Sequence, residues 1–257
     1  MSGGRRVALV TGGRRGIGLA VADALAADGL DVAITGTKAD DVSQAAVDRL
    51  TAHGVAAIYV AGDISRLDDH ARVLDTVEAS LGPVDVLVSN AGIAPPRRLD
   101  VLETTPENFD TVLSVNLRGA FFLAQAVAKR MIAAGTTGRD KTMVFVTSCS
   151  VDMVSINRLD YCISKAALSM AVKGFAVRLA AEGIAVFEIR PGIIRTDMTA
   201  GVTAKYEALI DGGLVPSRRW GEPADIAVAV RALARGGLGF ATGTVVTPDG
   251  GLAISRL

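Results

Sequence analysis

The sequence predicts an α/β protein built on a doubly wound parallel sheet, and three observations carry that prediction. Short β-rich runs alternate with longer helical patterns along all 257 residues, as strand–helix–strand units with right-handed crossovers require. Several of the runs are nearly continuous in Val, Ile, Leu and Ala, as strands covered on both faces must be. Half of the residues are hydrophobic but only 4% are aromatic, so the core is mostly aliphatic and suits helices packed closely on a buried sheet.

Arg6–Thr11 reads as the first strand and runs into a glycine-rich turn, after which a helical pattern covers Gly16–Ala27. Asp31–Thr35 is the second strand and Asp40–His53 the second helix, with Asp40 and Asp41 as N-terminal caps. Strand Ala56–Val60, helix Leu67–Leu81 and strand Val84–Ser89 follow. A helix is expected over Asn116–Ala134, then a polar, Gly-rich solvent loop over Gly135–Lys141, then strand Thr142–Thr147. The longest helical pattern, Leu159–Glu182, precedes strand Ala185–Ile189. Met198–Gly221 carries scattered glycines and one proline and reads as irregular. It follows a strand end, where ligands bind in such sheets. Helix Pro223–Ala234 and strand Thr244–Thr247 close the pattern. No repeat, low-complexity tract or linker marks a boundary, so residues 1–257 read as one domain with a substrate loop at about 198–221.

Composition narrows the function classes. The formal net charge is zero and no basic run exceeds a few residues, so nothing points to nucleic acid or an anionic membrane. No apolar stretch reads as reaching the ~18 residues of a membrane span. Met1 to Arg6 lead directly into a strand and lack the apolar region of a signal peptide. Cys149 and Cys162 imply no disulfide framework, and His53 and His70 have no ligand spacing, so no metal site and a reducing cytoplasm are expected.

The first turn reads Thr11-Gly12-Gly13-Arg14-Arg15-Gly16-Ile17-Gly18. Glycines at 12, 16 and 18 allow a tight turn, close phosphate approach and a helix N-terminus aimed at the anion, which points to a dinucleotide. An NAD site usually places an acid at the end of the second strand to hold the ribose 2′-hydroxyl. Gly36, Thr37 and Lys38 stand there instead, and Arg14 and Arg15 lie close to where a 2′-phosphate would sit. Arginine suits phosphate, so NADP(H) is favoured over NAD(H), with Asp40 and Asp41 as the competing observation.

Tyr161 and Lys165 share a helix face, with Ser148 thirteen residues upstream of the tyrosine. A free phenol titrates near ~10, and lowering it by roughly 3 units takes about 4 kcal/mol. One cation at ~4 Å in an effective dielectric of about 20 supplies that much, so Lys165 is expected to tune Tyr161. Tyrosine four residues before lysine is a weak signal alone, and gains weight from the rest of the chain.

Together these residues resemble the classical short-chain dehydrogenase/reductase family along essentially the whole chain. The glycine turn is similar to the family's T-G-x-x-x-G-x-G, and Asp63, in Gly62-Asp63-Ile64-Ser65, resembles its adenine-contacting acid. Asn90-Ala91-Gly92 resembles the N-A-G after the fourth strand, with Ser89 where Asn is more usual. Asn116 resembles the fourth catalytic residue, and Ser148, Tyr161 and Lys165 the other three. Pro191-Gly192-Ile193-Ile194-Arg195-Thr196 resembles the segment over the nicotinamide, and Arg219-Trp220-Gly221 and Asp249-Gly250-Gly251 match the tail. The pattern is most similar to the 3-oxoacyl-(acyl-carrier-protein) reductases.

The resemblance implies a Rossmann-type, seven-stranded parallel sheet and a homotetramer. It implies that Ser148 hydrogen-bonds the substrate carbonyl, Tyr161 carries the proton, and Lys165 lowers the phenol pKa and binds the nicotinamide ribose. Asn116 holds a relay water through its main chain in a distorted helix, and Ile194 and Thr196 touch the nicotinamide amide. Hydride transfer at the pro-S face follows from the same likeness. Ser150 offers a second hydroxyl, but the spacing favours Ser148.

Other residues have plainer readings. Cys162 reads as a small packed residue, and Arg97 and Arg98 as a solvated loop or a grip on an acidic substrate or carrier. Lys129 and Arg130 complement a helix dipole or dock an acyl carrier protein. Ser255-Arg256-Leu257 reads as a tail at a subunit contact rather than a peroxisomal signal. Function is thus expected to be an NADP(H)-dependent ketone reductase or alcohol dehydrogenase, acting on a 3-oxoacyl thioester among other candidates. Asp152, Ser155 and Asn157 leave a sugar or polyol dehydrogenase open, while Met153, Val154, Ile156 and Leu214 favour an apolar ligand. A non-catalytic dinucleotide sensor is the reading from another class, and it has no need of all four catalytic side chains.

Overall fold

The computed structural model describes residues 4–135 and 138–256. Among them, strands β1 (Val7–Val10), β2 (Asp31–Gly36), β3 (Ala57–Ala61), β4 (Val84–Ser89), β5 (Lys141–Val146), β6 (Ile184–Ile189) and β7 (Val245–Val246) form one parallel sheet in the order β3-β2-β1-β4-β5-β6-β7. The chain starts in the middle, winds outward through β2 and β3, then crosses back to β4. The crevice between the ends of β1 and β4 is therefore the place where such sheets bind ligands.

Side chains alternate across the pleat and divide the core into two layers. Ala8, Val10, Val32, Ile34, Val144 and Phe187 face one side, where α1 (Gly16–Ala27), α2 (Asp41–Thr51) and a C-terminal helix (Pro223–Ala234) pack. Val7, Leu9, Leu87, Met143 and Phe145 face the other, under α3 (Leu67–Leu81) and two later helices.

Most strands and helices fall within one or two residues of expectation, the pattern Leu159–Glu182 being an α-helix to Leu179 and a 3-10 turn over Ala180–Glu182, and three differences stand out. An unforeseen helix, α4 (Pro106–Leu113), precedes the expected Asn116–Ala134. Asn, Asp and Thr give this segment weak propensity; Thr105 caps it by accepting from the Asn108 backbone N–H at 3.3 Å, and Pro106 opens its first turn. A π-helical turn, Ser114–Gly119, then joins it to α5 (Ala120–Ala133). Gly119 lies so close to the Ile64 carbonyl that a Cβ would stand 2.8 Å from its carbon.

The continuous helix Pro106–Ala133 is also long and apolar enough, by length and composition, to cross a membrane, contrary to the expectation that no stretch approaches that size. Its buried residues Leu123, Val127 and Met131 belong to the core layer with Phe145 and Leu168, as those of a core helix do.

Third, Met198–Gly221 is not irregular throughout. After α6 (Leu159–Leu179) and β6, a 3-10 turn (Asp197–Val202) leads into α7 (Thr203–Asp211), which the glycines at 201, 212 and 213 bracket. Ile210, Val215, Trp220 and Leu252 pack this flap into a small separate core. Helix α8 is the C-terminal helix Pro223–Ala234. Arg256 of the tail donates to the Leu214 carbonyl at 3.2 Å, and Leu257 lies outside the described residues.

Candidate active site

A cavity of about 730 Å³ opens along the C-terminal edge of the sheet, centred on the β1/β4 crevice. Thr11 fixes its floor: its hydroxyl accepts from the backbone N–H groups of Asn90 at 3.0 Å and Ala91 at 2.9 Å, while Asn90 Nδ2 donates to the Thr11 carbonyl at 2.9 Å. The ends of β1 and β4 are thus clasped together.

Gly12, Arg14, Arg15, Gly16, Ile17 and Gly18 line one part of this cavity. Gly12 and Gly16 have φ of 66° and 56°, where a side chain would strain the turn. A Cβ on Gly18 would overlap the Gly12 carbonyl and stand 2.6 Å from Asn90 Nδ2. Helix α1 has no side-chain cap and no acid in its first turn. Its free N–H groups form an anion site, so the residues present fit a dinucleotide pyrophosphate.

Gly36 and Thr37 line the cavity beyond the turn, as do Asp63 and Ile64. Lys38 does not; its carbonyl accepts from Arg14, Ser43 and the Tyr59 hydroxyl. Arg14 is held by Asp40, whose two oxygens stand 2.8 and 2.7 Å from one guanidinium nitrogen. Asp40 caps α2 as expected, accepting from Ser43 N–H at 3.1 Å, and it does so while paired to the arginine proposed for phosphate. Arg15 reaches across the cavity mouth to Asp197 at 2.9 Å, an exposed pair that contributes little stability.

Ala91, Gly92, Ser148, Tyr161, Lys165 and Gly192 gather at the other part, with Pro191, Ile194 and Thr196 over them. Ser148 starts a 3-10 turn, where its Oγ accepts from Ser150 N–H at 3.0 Å. Ser150 itself is buried and off the cavity, accepting from Arg158 at 3.2 Å.

Asn116 lies behind the cavity wall. Its Oδ1 accepts from Ile93 N–H at 2.8 Å, and its Nδ2 donates to the Ile93 carbonyl at 3.0 Å and to Ser164 Oγ at 3.2 Å. The side chain ties the loop after β4 to α6, which leaves only the main chain of the π-helical turn for other contacts.

Lys165 is the cation expected to tune Tyr161. Its Nζ stands 5.8 Å from the tyrosine ring centroid and donates to the Val146 carbonyl at 3.1 Å. Burial lowers its pKa to about 8, opposed by Glu188. Burial pushes the Tyr161 phenol up, and the groups that pull it back are Arg158 and Ser148. The nearer cation is therefore Arg158, with Cζ 5.0 Å from the ring centroid.

Arg158 and Glu188 were not legible as site residues. Arg158 precedes the tyrosine by one helical turn, a spacing that places it on the same face. Glu188, within strand β6, is buried and accepts from Thr147 Oγ1 at 2.6 Å, Ser169 Oγ at 2.8 Å and Arg190 Nε at 2.8 Å. Arg190 passes on to Asp152 at 2.6 Å, so this network braces the segment after Ser148. Asp160 is a third: buried, it accepts from Asn108 Nδ2 at 2.6 Å and from Tyr161 N–H at 2.7 Å, joining α4 to the start of α6.

The remaining candidates separate. Burial raises the Cys149 thiol pKa, and Cys162 is packed against the Met153 carbonyl. Arg98 lines the cavity rim and Arg97 does not. Arg130 stands in the last turn of α5, as the helix-dipole reading expects, and also bridges α5 to α3 through Asp75 and Glu78, both at 2.6 Å. Among the described residues no three His, Cys, Asp or Glu side chains cluster as metal ligands would.

Comparison with known proteins agrees with this geometry. Residues 12–253 match a family model described as enoyl-(acyl carrier protein) reductase. A 3-oxoacyl-[acyl-carrier-protein] reductase of Synechocystis is 33% identical over 97% of both chains. A gluconate 5-dehydrogenase of Gluconobacter oxydans is 32% identical over 99% of this chain and 96% of its own. The crystal structure of a 3-oxoacyl-[acyl-carrier protein] reductase from Brucella melitensis in complex with NAD is 50% identical and superposes with a TM-score of 0.96 over 100% of both chains. With its seven-stranded parallel sheet, its glycine turn and its serine, tyrosine and lysine at one cavity, the chain belongs to the classical short-chain dehydrogenases/reductases, NAD(P)-dependent oxidoreductases similar to the 3-oxoacyl-(acyl-carrier-protein) reductases.

Proposed function

We propose that this enzyme reduces a ketone to a secondary alcohol with NADP(H), with a 3-oxoacyl group as the leading substrate. The observation that carries this reading is the common cavity: Ser148, Tyr161 and Lys165 line one part and the glycine turn another. A nicotinamide held there would supply the hydride. Ser148 Oγ donates to the carbonyl oxygen, and Tyr161 delivers the proton to that oxygen. Lys165 would hold the nicotinamide ribose and lower the phenol pKa. The main chain of Asn116 holds a water that resupplies the proton. Thr196 and Ile194 hold the nicotinamide amide, and the flap at about 198–221 covers the substrate.

The absence of an acid at Gly36–Thr37 and the presence of Arg14 and Arg15 on the cavity support NADP(H). The Arg14–Asp40 pair and the NAD named with the Brucella relative favour NAD(H) as the second choice. A second reading, oxidation of a polyhydroxy acid, has the likeness to gluconate 5-dehydrogenase in its favour. The reading also includes a cytoplasmic homotetramer, which rests on the family resemblance and on the free cysteines.

The test is oxidation of NADPH and NADH, followed by absorbance, with a ketone panel that includes an acetoacetyl thioester. Turnover with NADPH that falls at least about 10²-fold in Tyr161→Phe is expected. Turnover unchanged in that variant would refute the assignment, as would cofactor binding with no turnover of any ketone or polyol.

A further inference from the structure

Arg158 is a cation at the reacting end that has no carboxylate partner among the described residues. It stands at the N-terminal boundary of α6 and lines the cavity with Ser148 and Tyr161. One terminal nitrogen donates to Ser150 Oγ at 3.2 Å. Its Nε is buried and has no acceptor among the described residues. No carboxylate stands within 4.0 Å of its guanidinium among them either, whereas Arg14 and Arg15, which line the same cavity, each have one.

The nearby acids are already engaged. Asp160 accepts from Asn108 and Tyr161, Asp152 from Arg190, and Asp197 from Arg15. A second arginine, the exposed Arg98, lies at the rim of the cavity and has no ion pair among the described residues. The reacting end is therefore positive. A buried donor without an acceptor is costly, and a guanidinium fork matches a carboxylate in shape and charge. The missing acceptor is one that a ligand supplies.

We infer that Arg158 binds a carboxylate of the substrate, so that the enzyme acts on oxo acids or the corresponding hydroxy acids. This rests on the carbonyl-reductase reading and puts a free oxo acid in place of the thioester as its substrate. The guanidinium lies 5.0 Å from the ring that serves the carbonyl oxygen. The carboxylate must then sit on the carbon beside the carbonyl or the next one. A 3-oxoacyl thioester has no charge there, and the phosphate of a carrier arm is many bonds away.

The test compares acetoacetate, methyl acetoacetate and an acetoacetyl thioester, with pyruvate and methyl pyruvate as the shorter pair, in wild type, Arg158→Gln and Arg158→Lys. Wild type is expected to favour a free acid over its ester and over the thioester by at least about tenfold in kcat/KM. Arg158→Gln should abolish that preference, mainly through KM, and Arg158→Lys should restore part of it. Preference for the ester or thioester in wild type overturns the inference. Equal loss on acid and ester in Arg158→Gln, with a shifted pH profile, also overturns it and makes Arg158 a tuner of Tyr161.

Calorimetric titration of malonate into the full-length NADP⁺-loaded protein provides a readout independent of turnover. Affinity that falls at least about tenfold in Arg158→Gln supports the inference even where no substrate is turned over, and equal affinity overturns it. Loss of all turnover with malonate binding intact would instead count against the carbonyl-reductase reading.

Discussion

Replacing Lys165 with methionine should make the protein more stable while removing its activity. The ammonium is buried, and its one hydrogen bond among the described residues runs to the Val146 carbonyl at 3.1 Å. Burial takes its pKa from 10.5 to about 8. At about 1.4 kcal/mol per pKa unit, the charged form costs about 3 kcal/mol more in the folded than in the unfolded chain. Methionine has similar length and no charge. Leaving the Val146 carbonyl without its donor takes back about 1 kcal/mol, so the net gain is about 2 kcal/mol, or about 4 to 8 °C in Tm for a chain of this size.

The sign of the pH dependence follows from linkage. Between about pH 8 and 10.5 the unfolded chain still holds the proton that the folded chain has released, so wild-type stability rises with pH in that window. The advantage of Lys165→Met is complete below pH 8 and fades toward pH 10.5. Urea unfolding of the cofactor-free, full-length proteins at pH 7 and pH 10 measures both. Equal or lower stability of the variant at pH 7, or a gap that does not change with pH, would refute the reasoning. The residue is then retained for chemistry at a cost to the fold, as functional sites often are.

Two further perturbations probe the cofactor end. Gly18→Ala adds a Cβ that overlaps the Gly12 carbonyl and meets Asn90 Nδ2 at 2.6 Å, so the turn must open. NADP⁺ affinity by calorimetry should fall at least about tenfold, with about 1 to 3 kcal/mol of stability lost; affinity within twofold of wild type would show that the turn is not the pyrophosphate site. Asp40→Asn keeps a good helix cap but releases the Arg14 guanidinium. The ratio of kcat/KM for NADPH over NADH should rise about three- to tenfold at unchanged Tm, and an unchanged ratio would remove Arg14 from phosphate recognition.

The parts of this molecule legible in its sequence are those fixed by short-range rules. Strand β1 is a continuous apolar run, β4 and β6 are apolar but for Asp85, Ser89 and Glu188, and the glycine turn and the serine, tyrosine and lysine are local motifs. What stayed hidden depends on which side chain another element intercepts. Lys165 shares a face with Tyr161, as the four-residue spacing requires, yet its ammonium ends on the Val146 carbonyl because β5 runs beneath α6. Helix α4 is weak by propensity and is anchored by Asn108 to Asp160, a contact between residues 52 apart in sequence. Arg14 looked like a free phosphate ligand because the carboxylate that holds it caps a different helix.

Arg158 is the instructive case. Its distance from Tyr161 along the helix was readable, but its lack of an acid was not, since the nearest acids in sequence, Asp152 and Asp160, are claimed by Arg190 and Asn108. Sequence motifs identify which groups perform the reaction. The charge left over after every ion pair has formed identifies what those groups can act upon, and that remainder exists only once the chain has folded.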